Sequence, residues 1–164
     1  MLKLRPFIRS DAEKIVSWIG DEVSFRKWCA DRFENYPITA EDLLAQYDDI
    51  CSTGKFFPMT AVEGETPVGH LILRYPGEDK KIVRLGYVII DSARRGKGLG
   101  KEMLRLAIKE AKEKLGAENL TIGVFANNEP AHRCYLSVGF KDIPTVEEHY
   151  HIFNEDWLCL EMFF

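Results

Sequence analysis

The chain has 164 residues, a length that suits one folded domain with a sizeable core, and its 46% hydrophobic and 29% charged composition is typical of a globular protein. We therefore expect a single domain over residues 1–164. The net charge of −4 argues against nucleic acid as a general partner, and no apolar run approaches the roughly 18 residues of a membrane span. Without a signal-peptide pattern at the N-terminus, a cytoplasmic location is the expectation.

The four cysteines and the distribution of charge restrict the possible functions further. The cysteines are scattered without a Cys-x-x-Cys pair, which predicts reduced thiols and neither a zinc site nor a redox motif. Residues 11–49 carry ten acidic and four basic residues, a balance of −6, whereas residues 94–115 carry eight basic and three acidic residues, a balance of +5. The first segment favours a cationic partner and the second an anionic one.

The N-terminal third predicts one strand and three helices. Alternating apolar residues predict a strand over residues 2–7. Ser10, with Glu13 three positions on, has the pattern of a capping box and predicts a short helix over about residues 11–19. A second short helix and a loop follow, and Thr39 begins a third helix, from residue 40 to about 50, with two acidic residues in its first turn.

The remainder predicts a sheet interrupted by two helices. From Phe56 the hydrophobic period changes to two, which predicts an antiparallel meander with strands at about 56–63, 67–75 and 82–90. After the strand at 82–90, apolar residues cover a broad helical face and predict a helix that ends at Gly116. The elements after it are a strand at 120–125, a helix at 128–137, and strands at 140–143 and 157–163. The order predicts a mixed α/β sheet with one strand-loop-helix unit at its centre.

The stretch from Arg94 to Lys101 breaks two rules of helix formation at the start of that central helix. It contains three glycines, each of which costs roughly 0.5–1 kcal/mol relative to alanine within a helix. It also contains four cations, in a turn where the helix dipole favours anions. A strand, a glycine loop and a helix N-terminus together form an anion cradle, most naturally for a phosphate or diphosphate.

Two better-known phosphate loops do not fit this stretch. A Walker A loop would need glycine at position 95 and serine or threonine at position 102, where the chain has Arg95 and Glu102. A dinucleotide fingerprint that begins at Gly98 would need a small third residue where Met103 stands. A nucleoside triphosphate and a dinucleotide are therefore disfavoured.

Two motifs carry a family resemblance. They read Arg95-x-x-Gly98-x-Gly100 and Asn128-x-x-Ala131-x-x-x-Tyr135-x-x-x-Gly139-Phe140. Together they closely resemble the GNAT-fold N-acetyltransferase superfamily over about residues 56–143, while the chain ends weakly resemble its ribosomal-protein-acetyltransferase branch. The resemblance implies a GNAT-like α/β (α+β) fold, with a central, mostly antiparallel mixed sheet flanked by helices on both faces.

The same resemblance implies acetyl-CoA as co-substrate, while the scattered cysteines and histidines predict no metal site. In the family, loop N–H groups bind the pyrophosphate, the preceding strand pairs with the pantetheine arm and polarises the thioester carbonyl near a bulge, and an Asn and a Tyr lie beside the arm and its sulfur. Carried over, the cofactor-binding residues are Val88, Ile89, Ile90, Arg95, Gly96, Lys97, Gly98, Leu99, Gly100, Lys101, Asn128 and Tyr135.

Tyr135 is the candidate catalytic residue. By family position it would donate a proton to the departing sulfur, and the ordinary pKa values, about 10 for tyrosine and about 8.5 for a thiol, make it a plausible acid. Its spacing also fits a core residue, because it shares one helical stripe with Ala131 and Val138. Cys134, its neighbour, is not expected to act as a nucleophile.

The general base is not identified by the sequence. Many relatives place a glutamate just before a Gly-Tyr pair such as Gly86-Tyr87, where this chain has Arg84 and Leu85. Candidates elsewhere are Glu22, Glu34 and His70, although a surface carboxylate or an ordinary strand histidine explains each of them better. A water chain, or an amine that arrives neutral, would also suffice. The spacing of His149 and His151 would place both on one face if these residues form a strand, but no third metal ligand is nearby.

We therefore expect an N-acetyltransferase that moves the acetyl group of acetyl-CoA directly to a primary amine in a ternary complex. The acidic and aromatic residues at 18–49 either form a mixture of core and surface or line a pocket for a cationic amine, a small molecule or a peptide. Two alternatives stay open: a non-catalytic module that binds CoA or acyl-CoA, and an acyltransferase that uses a longer acyl group. A monomer or a homodimer is expected.

Overall fold

A computed structural model describes all 164 residues. It contains seven strands, five α-helices and two short 3-10 turns. The elements in chain order are β1 Leu2–Pro6, α1 Ala12–Ser17, α2 Glu22–Cys29, α3 Ala40–Cys51, β2 Phe56–Glu63, β3 Thr66–Arg74, β4 Ile82–Ile90, α4 Leu99–Lys114, β5 Asn119–Phe125, α5 Glu129–Val138, β6 Lys141–Ile152 and β7 Glu155–Phe163. None of the helices is long and apolar enough to cross a membrane.

All seven strands form one sheet in the order β1-β2-β3-β4-β5-β7-β6. Every neighbouring pair is antiparallel except β4 and β5, which run parallel. Side chains alternate between the two faces, as on β3, where Leu71 and Leu73 join the core under α4 and α5 while Ile72 joins the core under α1, α2 and α3. The predicted mixed, mostly antiparallel sheet with helices on both faces is confirmed.

The C-terminal hairpin is the largest departure from the sequence prediction. Strand β6 was expected to end near residue 143 but extends to Ile152, where Phe153 and Asn154 turn the chain back into β7 with φ angles of 55° and 59°. Positive φ at both turn residues is the geometry of a tight hairpin, which Asn-Gly or Asp-Gly usually signals. Most of β6 is exposed on both faces, so it also lacks the alternation that identifies a strand.

The start of the first helix is also corrected. Ser10 does not cap it; instead Asp11 accepts hydrogen bonds from the backbone N–H of Ile8 at 3.0 Å, from both terminal nitrogens of Arg5 at 2.7 and 2.9 Å, and from the Thr60 hydroxyl at 2.8 Å. Burial alone would raise the pKa of Asp11, but the hydrogen bonds from Arg5, Ile8 and Thr60 outweigh it and lower the pKa. One carboxylate thus ties β1, the turn before α1 and β2 together.

His70, one of the candidate bases, is a buried structural residue. Its side chain lies at 0% exposure on β3, with Nε2 2.7 Å from the Tyr47 hydroxyl and the Phe7 ring packed edge-on against it. Burial lowers the pKa of His70 to about 3, so the imidazole is neutral at physiological pH. A neutral imidazole enclosed by the core has no route to a substrate.

Asp11→Ala should lower the free energy of unfolding by about 2–4 kcal/mol, because it leaves the partly buried Arg5 and the buried Thr60 without their acceptor. Urea denaturation at pH 7 measures this. Asp48→Ala, which removes the exposed partner of Arg9, is the control and should change stability by less than about 0.5 kcal/mol. Equal midpoints for the two variants would contradict the role assigned to Asp11.

His70 should also make stability depend on pH. Its pKa is about 3 in the folded protein and about 6.5 in an unfolded chain, so its contribution is present above about pH 6.5 and is lost as pH falls, by about 1.4 kcal/mol per pH unit. Urea denaturation should show that His70→Gln loses about 2 kcal/mol less stability than the wild type between pH 7 and pH 5. The exposed His149→Gln should keep the wild-type pH dependence; an unchanged dependence in His70→Gln would refute the assignment.

Candidate active site

A β-bulge distorts the central strand β4. On β3, His70 pairs with Ile89 and Ile72 with Gly86, so β4 holds one more residue than its partner between these pairs. Tyr87 lies in the bulge with a φ of 52°, a left-handed conformation that is uncommon for tyrosine. Trp28 of α2 donates its indole N–H to the Tyr87 carbonyl at 3.0 Å, and the Tyr87 hydroxyl donates to Gln46 of α3 at 2.7 Å. Two helices therefore hold the distorted residue in place.

Just before the bulge, β4 separates from β5. Their parallel pairing ends at Leu85 and Ile122. Beyond that point residues 86–90 of β4 pair only with β3, and residues 123–125 of β5 pair only with β7. A wedge therefore opens within the sheet between these two segments, and the backbone N–H and C=O groups that face it have no partner strand.

Beyond the wedge, β4 leads into the glycine-rich loop. Gly96 and Gly98 have φ angles of 78° and 81°, which other residues adopt only with strain. The first helical hydrogen bond of α4 runs from the Glu102 N–H to the Gly98 carbonyl at 3.1 Å, and the backbone N–H groups of residues 95–101 donate to no acceptor in the chain. The loop thus presents a row of free donors at the positive end of a 16-residue helix.

The four cations of this loop differ in their partners. Arg94 forms an ion pair with Glu63 of β2. Arg95 donates from Nε to the Ile90 carbonyl at 3.3 Å but has no carboxylate partner, and Lys97 and Lys101 are exposed and also unpaired. Three positive charges thus remain beside the free N–H groups, as an anion cradle requires.

Helix α5 brings the second motif alongside the loop. The Cβ of an alanine at position 100 would lie 3.5 Å from the sulfur of Cys134, so α5 touches the first turn of α4. Asn128 is the N-cap of α5, and its half-buried side-chain amide makes no hydrogen bond. Tyr135 is 7% exposed, and its hydroxyl likewise has no partner in the chain. Burial raises the pKa of Tyr135 above its ordinary value.

The predicted strand residues divide between the two faces of the sheet. Val88 and Ile90 pack against the core that contains Tyr135, under α4 and α5, whereas Ile89 is buried in the core under α1, α2 and α3. Tyr135 thus belongs to the core that Val88 and Ile90 join, which is the structural role that its helical spacing also allows.

On the opposite face, under α2 and α3, a cavity of about 400 Å³ opens onto the wedge. Its lining includes Gly86 and Tyr87 from one side of the wedge and Gly123 and Phe125 from the other. Pockets for small molecules typically measure about 300–1,000 Å³, so this cavity suits a small ligand. Trp28 also lines it, so part of the aromatic segment contributes as expected.

The acidic residues at 11–49 do not converge on this cavity. Of the ten acidic residues at 11–49, only Asp49 lines the cavity. Glu22 and Glu34, the other two candidate bases, border a separate, smaller depression. None of the three candidate bases lines the cavity, and of the two possibilities left open for the acidic residues at 18–49 this arrangement favours the mixture of core and surface.

Sequence reasoning missed most of the residues that shape this cavity. Gln46, Arg74 and Gly123 come from three different elements and share no motif. One signal was available for Arg74: the alternation of β3 places it on the same face as the buried His70 and Ile72, where a charged side chain is unusual. His149 and His151 lie exposed on β6, and no group of three or more His, Cys, Asp or Glu residues is arranged to hold a metal ion.

Comparisons with known proteins agree with this geometry. Among solved structures, the spermidine N-acetyltransferase of Vibrio cholerae in complex with CoA and spermine has a TM-score of 0.82 at 17% identity, covering 99% of this chain and 94% of that chain. The Salmonella typhimurium protein yncA, solved with its cofactor acetyl-CoA, has a TM-score of 0.73 at 20% identity, covering 99% and 92%. At these identities the likeness shows the fold.

Comparison of sequences shows the family as well as the fold. N-acetylaspartate synthetase of Xenopus tropicalis is 33% identical over 96 residues, which are 58% of this chain and 34% of that protein, so the match spans about a third of this relative. The model of the acetyltransferase (GNAT) family matches residues 23–140, from α2 to the end of α5, and thus includes β4, the glycine-rich loop and both motifs. The chain therefore belongs to the acetyltransferase (GNAT) family.

Proposed function

We propose that this protein transfers the acetyl group of acetyl-CoA directly to a primary amine within a ternary complex. The observation that carries the proposal is the wedge between β4 and β5, which joins the glycine-rich loop at one end to the cavity under α2 and α3. A thioester in the wedge is accessible from the cavity, so the amine attacks it without a covalent enzyme intermediate.

The loop and β4 would hold the cofactor. Free N–H groups of residues 95–101, with Arg95, Lys97 and Lys101, are suited to the pyrophosphate of CoA. The unpaired edge of residues 86–90 offers backbone hydrogen bonds to the amide groups of the pantetheine arm. The side-chain amide of Asn128, which has no partner in the chain, would complete the contacts to that arm.

Transfer forms a bond between the amine nitrogen and the acetyl carbon and breaks the bond between that carbon and sulfur. A backbone N–H in the bulge at Val88 would polarise the carbonyl oxygen. The raised pKa of Tyr135 keeps its hydroxyl protonated, so it donates a hydrogen bond to the departing thiolate. The amine passes its proton to water, since Asp49 is the only carboxylate that lines the cavity and it is exposed.

The names of the relatives indicate acceptors of opposite charge. The Vibrio cholerae structure contains spermine, a polyamine, whereas the Xenopus tropicalis relative is named for N-acetylaspartate, an acylated amine with two carboxylates. Since these two names differ so much in charge, the acceptor of this protein is best inferred from the charges in its own cavity.

Gly98→Glu should abolish binding of acetyl-CoA, because it places a side chain and a negative charge in the anion cradle. Gly116→Glu is a matched control: both glycines have positive φ and open space around the Cβ position, but Gly116 lies at the other end of α4. Titration calorimetry should show at least a 100-fold weaker Kd for Gly98→Glu and about the wild-type Kd for Gly116→Glu. Equal binding by both variants would remove the loop from the cofactor site.

Tyr135→Phe should lower kcat by about 100-fold while changing the Kd for acetyl-CoA by less than about threefold, because only the leaving thiolate uses the hydroxyl. The fold should be retained, since that hydroxyl has no hydrogen-bond partner in the chain. Release of free thiol in the presence of an amine measures the effect, and Tyr36→Phe, outside the cavity, is the control. Wild-type turnover by Tyr135→Phe would exclude the tyrosine from the chemistry.

A protein that only binds CoA would give a different pattern. It would bind acetyl-CoA in the calorimeter, respond to Gly98→Glu, and release no thiol with any amine. That result would support the binding module and overturn the transferase.

A further inference from the structure

The cavity carries a surplus of positive charge. Lys27, Arg32, Arg74 and Arg84 line it, against the single carboxylate of Asp49. Arg74 of β3 and Arg84 of β4 are register partners, so their side chains are neighbours on the face that forms the cavity. This charge is opposite in sign to that of residues 11–49, which contribute two of its walls.

Arg84 is largely neutralised within the protein. It forms a bidentate ion pair with Glu161 of β7 and also donates a hydrogen bond to the Thr121 hydroxyl at 3.3 Å. Its side chain reaches β7 across β5 because Gly123 has no side chain: a Cβ at that position would lie 2.8 Å from a terminal nitrogen of Arg84. Gly123 therefore leaves the space that this guanidinium occupies, and Glu161 holds it there.

Arg74 has no such partner. It is half-buried, makes no hydrogen bond or ion pair with the chain, and its guanidinium carbon lies 5.9 Å from the centre of the Phe56 ring. Burial, followed by repulsion from Arg84 and Arg32, lowers the pKa of Arg74. A partly buried cation with cationic neighbours is stabilised by any anion that enters the cavity.

We propose that the amine acceptor also carries a carboxylate, and that Arg74, flanked by Arg32 and Arg84, binds this carboxylate and selects small aminocarboxylic acids over neutral amines and polyamines. This proposal rests on the transferase function proposed above and names its acceptor class. Arginine suits the role because its planar guanidinium binds a carboxylate through two parallel hydrogen bonds.

The positions agree with the length of such a molecule. Arg84 precedes Gly86, at the start of the wedge, by two residues, about 7 Å along a strand. Because these guanidinium groups and the start of the wedge line the same cavity of about 400 Å³, one small molecule can place its carboxylate at the former and its amine at the latter. A polyamine would instead place its remaining positive charges beside four cations.

The first experiment compares amine acceptors in matched pairs. Aspartate, glutamate and β-alanine are each assayed with acetyl-CoA against their carboxamides, and spermidine is included. The carboxamides of α-amino acids have less basic amines and are more often neutral, so reactivity alone favours them. We expect the acids to have at least a tenfold higher kcat/KM, measured by thiol release, and spermidine to be the poorest acceptor.

The second experiment removes the positive charge of Arg74. Arg74→Gln should lower kcat/KM for the acids by about 10–100-fold, chiefly by raising KM, and should change the value for the carboxamides by less than about threefold. Arg74→Lys, which keeps the charge but not the planar group, should recover part of the loss. Arg9→Gln, which makes the same charge change on the exposed surface outside the cavity, should behave as the wild type.

Calorimetry with the CoA-loaded protein separates the acceptor class from catalysis, because CoA lacks the acetyl group. Aspartate or glutamate should bind this complex at least tenfold more tightly in the wild type than in Arg74→Gln. If aspartate or glutamate binds in this way but no thiol is released from acetyl-CoA, the carboxylate site is supported and the transferase function is overturned. Two results would overturn the acceptor class alone. One is a kcat/KM for the carboxamides or spermidine as high as that for the acids. The other is an equal loss of kcat/KM for acids and carboxamides in Arg74→Gln.

Discussion

The parting of β4 from β5 after Leu85 is the constraint on which the rest of the site depends. A continuous sheet would satisfy its backbone groups internally and leave no passage between its faces, whereas the wedge exposes unpaired donors and acceptors in the middle of the protein. The bulge at Tyr87 stays in place because Trp28 and Gln46 hold its carbonyl and its hydroxyl. Helices α2 and α3 are thus needed for the geometry of the central strand as well as for the cavity above it.

The site has two electrostatic parts, and both are positive. In the glycine-rich loop the charge comes from consecutive residues and from the end of a helix. In the cavity it comes from Arg32, which follows α2, and from Arg74 and Arg84, which pair across β3 and β4. Glu161 offsets Arg84, but no residue of the chain offsets Arg74, so the ligand is the natural source of the missing negative charge.

Most of the fold could be predicted from local patterns. The bounds of β2 and β4 match those expected, and Thr39 and Asp42 form the cap that begins α3. The predictions failed where a long-range contact determines the local structure. The Asp11 carboxylate binds Arg5, Thr60 and the Ile8 N–H before α1, whereas Ser10 caps nothing, and β6 extends to Ile152 because residues 147–152 pair with β7.

The sequence by itself determined the family motifs, the anion cradle and the alternation that builds the sheet, because each depends on residues a few positions apart whose geometry the backbone imposes. Only the tertiary structure decided which charges line the cavity. The −6 balance of residues 11–49 describes the surface of that segment, while the cavity takes Arg74 from β3 and Arg84 from β4. A net charge counted along the chain cannot show which side chains converge, because Arg32 follows α2 while Arg74 and Arg84 lie on β3 and β4, and only the folded chain brings these elements around one cavity.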